Sequence, residues 1–426
     1  MLYSAFEFGY AALTPARIAA GVGAKFWRSP ANPLADTWVA RASAAALDVF
    51  ENATRRYPKP EWGITETLIG GVNIPVRIET AVEKDFGRLL HFRRDPRALK
   101  SAHGRTPDDP AVLIIAPMSG HYATLLRGTV EAMLPGHEVY ITDWANARNV
   151  PLSAGRFDLN DYVDYVIEFL RHIGAGTHAI AVCQPGPALL AAAALMAEDE
   201  DPCRPASMTI MGSPIDARRS PTVPNLLAQE RRFEWFERNM IYTTPAPYPG
   251  VMRRVYPGFV QLYSFLSMNH DRHLNAHYDY FNHLVEGDGD SADKHRKFYD
   301  EYLAVVDLTE EFYLQTIRDV FKEFALAEGQ FMHHGRRVKP EAIRDIALMT
   351  VEGENDDISG IGQTQAAHDL CVNIPESMKI DYIQPGVGHY GVFNGSRWRT
   401  EIQPRLAAFI KKHDDVARRT FAEAAE

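Results

Sequence analysis

The residues best placed to do chemistry surround Cys183. Residues 179–182 are apolar and predict a buried strand, and Pro185 is typical of the first turn of a helix, where its missing N–H is no loss. A side chain on such a strand-to-helix turn stands above the sheet, as in a nucleophile elbow. The adjacent helix N-terminus favours a thiolate. We therefore expect Cys183 to be a nucleophile; the alternative is a small core residue, which is common for cysteine.

Two later segments supply partners for that thiol. Each follows a predicted strand, residues 347–351 and 377–383, so both fall at the carboxyl edge of a sheet, where open α/β proteins place their sites. The first segment, Gly-Glu-Asn-Asp-Asp-Ile, contains Asp356, with Asp357 and Glu354 as neighbouring alternatives. The second places His389 in a glycine-rich loop. The order nucleophile, acid, histidine predicts a Cys183–Asp356–His389 triad.

An oxyanion hole needs two backbone N–H groups that point at the developing negative charge. The first donor should be Gln184, the residue after the nucleophile. The second should come from the loop that follows the predicted strand at 112–116, where Met118 and Ser119 are the candidates. Ser119 has an alternative role as the N-cap of the next helix, and the two roles are compatible.

The elements that must position these residues alternate between strand and helix. Short apolar runs at 112–116, 138–142, 179–182 and 208–211 predict strands, with helices at 122–134, 159–173 and 185–196 between them. Before them, Gly70-Gly71 separates two strands of a predicted hairpin. This alternation indicates a mostly parallel sheet with helices on both faces.

The alternation is interrupted once. Between Phe233 and Phe331 there are 20 of the 45 aromatic residues of the chain, in stretches that look helical. We therefore predict an α/β core at residues 58–213 and 341–412, with a helical, aromatic-rich cap inserted at 214–340. Residues 1–57 are predicted to be a helical segment, and residues 413–426 a charged C-terminal tail.

Taken together, the Val-Cys-Gln-Pro-Gly elbow, Gly-Glu-Asn-Asp-Asp-Ile and Gly-His-Tyr-Gly-Val-Phe resemble the intracellular poly(3-hydroxybutyrate) depolymerase family. The resemblance extends over nearly the whole chain, including the Met-Leu-Tyr start and the aromatic insertion. It implies an α/β-hydrolase fold and an ester hydrolase that cleaves the polymer through a thioacyl-enzyme, without a cofactor. It assigns the roles of nucleophile, acid and base to Cys183, Asp356 and His389.

One departure from the general hydrolase box G-x-S-x-G concerns the elbow. Ala181 and Pro185 occupy the two glycine positions, and Gly186 comes one place late. A related alternative is a polyhydroxyalkanoate synthase-like acyltransferase, whose elbow resembles G-x-C-x-G. A third is a non-catalytic granule-associated protein. The sequence also leaves open whether water or the thiol of CoA accepts the acyl group.

The aromatic insertion is a reasonable binding groove for an apolar, flexible polyester, although most of its aromatic residues should form the insertion's own core. Tyr242, Tyr248, Tyr278 and Tyr280 are candidate contacts that the sequence does not rank. No metal site is predicted. The helically spaced histidines 270, 273 and 277 favour a polar surface, and His333-His334 favours a solvated basic turn.

Composition limits the partners. The net charge of 45 − 55 = −10 argues against general nucleic-acid binding, which needs a basic surface. Three cysteines indicate a reducing compartment, and no signal peptide or membrane span is recognised. We expect a cytoplasmic protein that the resemblance associates with polymer granules, with the homo-oligomer as an open option. The apolar segment at 1–57 either packs on the body of the protein or helps it adhere to an apolar surface.

Overall fold

The computed structural model describes residues 2–103, 108–268, 278–281, 283–286, 296 and 299–425. The strands, in chain order, are β1 Glu66–Ile69, β2 Val72–Lys84, β3 Gly87–Arg94, β4 Ala111–Ile115, β5 Glu138–Trp144, β6 His178–Val182, β7 Ser207–Met211, β8 Tyr242–Thr243, β9 Arg254–Tyr256, β10 Leu308–Thr309, β11 Met332–His333, β12 Arg336–Arg337, β13 Ala347–Gly353 and β14 Lys379–Gln384.

The α-helices, numbered in the same way, are α1 Leu2–Ala12, α2 Thr14–Arg28, α3 Trp38–Thr54, α4 Pro96–His103, α5 Arg127–Met133, α6 Leu159–Ile173, α7 Gly186–Glu198, α8 Val223–Glu230, α9 Phe233–Met240, α10 Gly258–Met268, α11 Glu310–Thr316, α12 Ala366–Leu370, α13 Gly395–Arg397 and α14 Gln403–Ala425. Short 3-10 and π-helical turns join several of them.

A nine-stranded sheet in the order β1-β2-β3-β5-β4-β6-β7-β13-β14 organises the core. β1, β2, β3 and β5 are paired antiparallel, whereas the rest of this sheet, β5-β4-β6-β7-β13-β14, is paired parallel. The β1–β2 hairpin turns at Gly70 and Gly71, both with positive φ, as the glycine pair predicts. This order, with the parallel strands covered by helices, is the α/β-hydrolase fold, and the predicted fold class is confirmed.

The inner parallel strands are buried because they are apolar on both faces. Every residue of β6, β7 and β13 is buried, and α7 is buried from Gly186 to Met196. α6 differs because only one stripe is apolar, and its N-terminus carries a capping box formed by Asp158 and Asp161. The result is a rigid platform whose carboxyl edge carries the loops after β4, β6, β13 and β14.

Between β7 and β13 the chain leaves the sheet. The expected helices are present there as α8 to α11, together with a three-stranded sheet in the order β10-β9-β8 and the β11–β12 hairpin. His121, in the loop after β4, forms an isolated antiparallel bridge with Val305. The segment that leaves the sheet therefore contacts the loop predicted to hold an oxyanion donor.

The two chain ends are helical. The first 57 residues contain α1, α2 and α3; α2 packs on α3, and Ala20, Ala24, Ala40 and Ala44 of these two helices are buried. α14 continues without a break from the core into the segment predicted to be a tail. His413 and Asp414, the first two residues of that segment, are buried. No helix in the described part of the chain combines the length and the apolar character that a membrane span requires.

Candidate active site

Cys183 lies on the turn between β6 and α7, with a positive φ of 68°. Such a backbone conformation is strained for a residue with a side chain, and it lifts the thiol out of the line of the strand. The Cys183 N–H donates to the carbonyl of Met211 at 2.8 Å, and its carbonyl accepts from the Ser213 hydroxyl. The thiol is half-buried and lines a cavity. The structure thus places Cys183 in the geometry of a nucleophile elbow.

The structure also explains the late glycine. A Cβ on Gly186 would lie 2.4 Å from the Ser213 Oγ and 2.8 Å from the Ile210 Cγ2. Real Cβ atoms do not approach other atoms so closely, so close packing of α7 on β7 requires glycine at this position. Ala181 and Ala188, by contrast, are buried without difficulty. The crowding that glycine relieves in the general elbow is relieved here at Gly186.

Asp356 and His389 come together from loops 33 residues apart. The Nδ1 of His389 and the Oδ2 of Asp356 are 2.8 Å apart, and both side chains are buried. The other carboxylate oxygen of Asp356 accepts from the N–H of Ile358 at 2.9 Å and of Ser359 at 2.8 Å. These bonds fix the carboxylate, which contacts the imidazole through Nδ1, and His389 also lines the cavity that contains Cys183.

The two alternative acids lie elsewhere. Asp357 is exposed, and the carboxylate of Glu354 accepts from the N–H of Gly386 at the surface. In both cases the described contacts do not include His389. Gly212, which no motif indicated, lies against the pair instead: a Cβ there would be 3.3 Å from both the Asp356 Oδ2 and the His389 Cε1.

The electrostatics connect His389 to Cys183. Burial works to lower the pKa of His389, but the negative charges of Cys183 and Asp356, together with hydrogen bonds to both side chains, raise its pKa well above the usual value. An imidazole with a raised pKa holds its proton and stabilises an adjacent thiolate. The structure therefore brings the three predicted residues together: Asp356 contacts His389, and His389 and Cys183 line the same cavity.

The predicted oxyanion donors lie beside the thiol. Met118, Ser119 and Gln184 all line the same cavity as Cys183. The N–H of Met118 donates to the side-chain Oε1 of Gln184 at 3.2 Å. The amide oxygen of the Gln184 side chain therefore accepts the hydrogen bond that the predicted donor, the Met118 N–H, would give to a substrate carbonyl oxygen. This contact could not be foreseen, because Met118 and Gln184 are 66 residues apart.

The loop that carries Met118 is held from two sides. Gly120 has φ of 101°, and a Cβ there would lie 2.3 Å from the Gln261 side chain. The carbonyl of Gly120 accepts from the N–H of Val306 at 2.8 Å. His121 contacts the carbonyl of Tyr302 through Nε2, and burial lowers its pKa to about 4, so its ring stays neutral at pH 7. Glycine 120 and neutral His121 thus fix the oxyanion loop against the insertion.

The cavity above Cys183 has a volume of about 470 Å³, within the range of ordinary small-molecule sites. Its lining is mostly apolar. The segment between β7 and β13 contributes a set of large side chains, among them Phe236, Met240, Tyr256, Tyr263, Leu308, Phe312, Tyr313 and Phe321. Tyr256 and Tyr313 stack with ring centroids 4.0 Å apart. The lining is therefore suited to an apolar ligand.

The four tyrosines singled out from the sequence are not in the described lining of this cavity. The Tyr242 hydroxyl donates to the carbonyl of Asn239, and Tyr248 contacts Glu7 and Arg56 near the N-terminus. Tyr280 is buried and its hydroxyl lies 3.1 Å from Arg296, whereas Tyr278 is exposed. Helical periodicity did not reveal which aromatic faces point at Cys183.

Among the residues that the structure describes, one group of titratable side chains outside this cavity includes two histidines and an aspartate. The histidines at 270, 273 and 277 lie outside the described residues. His333 and His334 do not form a free turn: their Nε2 atoms lie 2.9 and 2.8 Å from the two oxygens of Asp164. Partial burial works to raise the pKa of Asp164, but its hydrogen bonds to the two histidines lower that pKa overall. The hydrogen bond to Asp164 in turn raises the pKa of His334.

The fold and the site define an α/β-hydrolase with a cysteine at the elbow. Residues 212–414 match the family model described as PHB de-polymerase C-terminus. This match covers slightly less than half of the chain, and over these residues it confirms the resemblance predicted from the sequence. No curated protein sequence matches the chain.

Solved structures resemble the chain at low identity. A soluble variant of monoglyceride lipase from Saccharomyces cerevisiae is 13% identical, with 84% of this chain and 99% of that one covered and a TM-score of 0.47. A lipase described as putative, from Acinetobacter baumannii, is 13% identical over 80% and 92%, with a TM-score of 0.41. An esterase from Thermogutta terrifontis is 12% identical over 82% and 98%, with a TM-score of 0.39. Nothing about the substrate of this chain follows from these likenesses.

Proposed function

We propose that this protein hydrolyses the ester bonds of poly(3-hydroxybutyrate) through a Cys183–His389–Asp356 triad, giving 3-hydroxybutyrate oligomers or monomers. The observation that carries the proposal is the buried 2.8 Å contact of His389 with Asp356, beside a thiol on a strained elbow that opens into an apolar cavity. The family match over residues 212–414 supports ester hydrolysis.

In the proposed mechanism the sulfur of Cys183 attacks the ester carbonyl carbon while His389 holds the thiol proton. Asp356 orients the imidazole and stabilises its positive charge. The N–H groups of Gln184 and Met118 stabilise the tetrahedral oxyanion, and each such donor contributes about 3–4 kcal/mol to the transition state. His389 then protonates the departing alkoxide of the polymer chain. Water, activated by the neutral imidazole, cleaves the thioester and regenerates the thiol.

The direct test replaces the nucleophile. Cys183→Ala should abolish release of 3-hydroxybutyrate from amorphous polymer particles, with the fold intact by circular dichroism. Cys203→Ala is the matched control, because Cys203 is also half-buried but does not line the cavity. Substantial hydrolysis by Cys183→Ala would show that another group performs the attack.

The acyl acceptor separates hydrolysis from its nearest alternatives. Product analysis by mass spectrometry, with and without CoA, should give free acids in both conditions. A 3-hydroxyacyl-CoA product would identify thiolysis, and polymer growth from hydroxyacyl-CoA would identify the synthase-like acyltransferase. A thiol reagent should label Cys183 much faster than Cys203 or Cys371. Equal labelling, with no turnover, would favour a non-catalytic granule-associated protein.

Granule association is proposed on the surface of α2. Ile18, Val22 and Phe26 follow one another at four-residue spacing and are each at least 60% exposed, and they line a shallow groove with Ala11, Pro15 and Ala19. Residues 8–35 contain no Asp or Glu, although the chain has 55. Exposed apolar stripes of this kind mark interaction surfaces. We call these three side chains the α2 stripe.

Two of the three cations on α2 are bound within the protein, and the proposed occupant of the α2 stripe is a neutral polymer rather than an anionic membrane. Arg17 donates to the carbonyls of Thr54 and Tyr10, and Arg28 pairs with Asp48, so both guanidinium groups are bound within the protein.

α1, which precedes the stripe, packs on the insertion: Phe6 stacks on Phe259 of α10, with the ring centroids 4.0 Å apart. α10 in turn contributes Gln261 and Tyr263 to the cavity lining.

Adsorption can be measured apart from catalysis. In the inactive Cys183→Ala protein, the triple change Ile18→Ser, Val22→Ser and Phe26→Ser should reduce co-sedimentation with polymer particles at least tenfold. Leu68→Ser with Val372→Ser is the control, because both are exposed apolar residues elsewhere. Unchanged sedimentation would contradict the role of the α2 stripe, and a shift from dimer to monomer would identify a second copy as its partner.

A further inference from the structure

We propose that Asp164, His333 and His334 bind one divalent transition metal ion of the zinc type. The three ligand atoms, one carboxylate oxygen and the two Nε2 atoms, all lie within 4.8 Å of one another. Two imidazoles and a carboxylate are a donor set that zinc accepts in proteins. None of the three residues lines the cavity at Cys183, so the site is separate from the proposed chemistry.

The backbone brings these ligands from two distinct elements. Asp164 lies on α6 of the core, and the histidines lie at the start of the turn of the β11–β12 hairpin. His334 and Gly335 both have positive φ, 47° and 80°, as in the two-residue turns that join tight hairpins. This turn presents adjacent side chains to the same carboxylate. The His334 N–H also donates to the Oδ1 of Asn160 at 3.3 Å, which docks the turn on α6.

The distances are close to those of a metal site. Zinc bonds of about 2.0–2.1 Å in a tetrahedral arrangement separate the ligand atoms by about 3.3 Å. The observed separations of 2.9 and 2.8 Å are those of direct hydrogen bonds from the rings to the carboxylate. Each ring nitrogen lies about 0.5 Å closer to its own carboxylate oxygen than tetrahedral zinc would place it, so both rings must shift to admit the ion. A fourth position would be open to water, because His334 is exposed and Asp164 is half-buried.

The surrounding charge favours a cation. Asp158 and Asp161 at the N-terminus of α6 act on His334 through their negative charges, in addition to Asp164. The neighbouring cation Arg336 is paired with Glu198 and Asp199 and so is partly neutralised. A bound ion would replace the ring protons and join the hairpin of the insertion to a core helix. Metal binding should therefore release protons and stabilise the fold without changing the triad.

The test titrates Zn²⁺ alone into the full chain by calorimetry after treatment with a chelator. All variants carry Cys183→Ala, so that the thiol beside His389 does not bind the ion. We expect one equivalent to bind, with affinity reduced at least tenfold by Asp164→Asn and by His334→Ala. His172→Ala, an exposed histidine on the same helix, should have no effect.

A second readout keeps the test independent of any loss of folding. Zn²⁺ should raise the melting temperature of the Cys183→Ala protein, and this rise should be absent in the His334→Ala variant, whose side chain is exposed. Absence of saturable binding would overturn the proposal, as would binding that survives both substitutions. Tighter binding of Mg²⁺ than of Zn²⁺ would also overturn it, because the imidazole ligands would then have no role.

Discussion

The Oε1 of Gln184 accepts the N–H of Met118 at 3.2 Å, so one side chain covers a backbone donor that the proposed reaction needs. A substrate carbonyl must displace this oxygen before it can be polarised. A neutral hydrogen bond has a net value of about 0.5–1.5 kcal/mol, which corresponds to a roughly two- to tenfold effect on binding.

Gln184→Met should therefore lower KM for a soluble ester severalfold, with kcat changed by less than about threefold. Methionine keeps the length of the side chain and the backbone N–H but lacks a competing amide oxygen. Steady-state kinetics with a chromogenic 3-hydroxybutyrate ester give both constants. A fall in kcat of more than tenfold would mean that the Gln184 side chain takes part in the reaction itself.

Gly120 should be the most sensitive glycine near the site. With φ of 101° and a Cβ position 2.3 Å from Gln261, Gly120→Ala adds backbone strain and a collision in the oxyanion loop. Gly174 has φ of 106° with nothing within 4 Å, so Gly174→Ala adds strain alone. Both variants should lose about 1–3 kcal/mol in the free energy of unfolding, measured with urea. Activity should fall only in Gly120→Ala, and equal activities would contradict the role of the loop.

Glu352 should stabilise the strand that leads to Asp356. Its buried carboxylate accepts from the N–H groups of Gly362, Thr364 and Gln365 at 2.7–3.1 Å. Glu352→Gln removes the charge that strengthens these bonds and turns an amide N–H₂ toward other donors. We expect a loss of about 1–3 kcal/mol in the free energy of unfolding. Glu354→Gln, at an exposed position, is the control and should change the value less.

The pH profile should report His389. Because its pKa is raised, the imidazolium persists above the ordinary value, and turnover should decline only when the pH rises through the raised pKa and the general acid is lost. Asp356→Asn removes one of the causes and should move this alkaline limb to lower pH as well as reduce kcat. An unchanged limb would show that His389 is not the group that titrates.

The same shift links pH to stability. A raised pKa of His389 in the folded state contributes stability that is complete below about pH 6.5 and is lost as the pH rises through the folded-state value. His389→Ala should remove this dependence. Urea denaturation at several pH values would measure it, and a pH dependence that is identical in the variant would contradict the assignment.

Local sequence was sufficient for the core because its signals are local. The apolar runs of β6, β7 and β13 and the Gly-Gly turn predict their elements directly, and the order of loops after β6, β13 and β14 brought Cys183, Asp356 and His389 to one edge. The insertion was harder. β9 pairs with β10 across more than 50 residues, and strands of two or three residues carry no readable periodicity.

Contacts between distant residues account for the rest. Gln261, Gly212 and the Tyr256–Tyr313 stack belong to the site through tertiary packing, and no motif marks them. From local sequence the His333–His334 turn is predicted to be solvated. Its contact with Asp164 carries no local signal, because Asp164 lies 169 residues before His333. Residue type and spacing predict where Cys183, Asp356 and His389 meet; they do not predict which side chains of the insertion surround them.

The sulfur of Cys183 should become acylated during turnover. Rapid acid quench of the enzyme with a short 3-hydroxybutyrate oligomer, followed by peptide mass spectrometry, should reveal a 3-hydroxybutyryl thioester on the peptide that contains Cys183. The adduct should accumulate at low pH and disappear on addition of hydroxylamine. Turnover without this adduct, or an acyl group on Ser119 or another residue instead, would contradict the account.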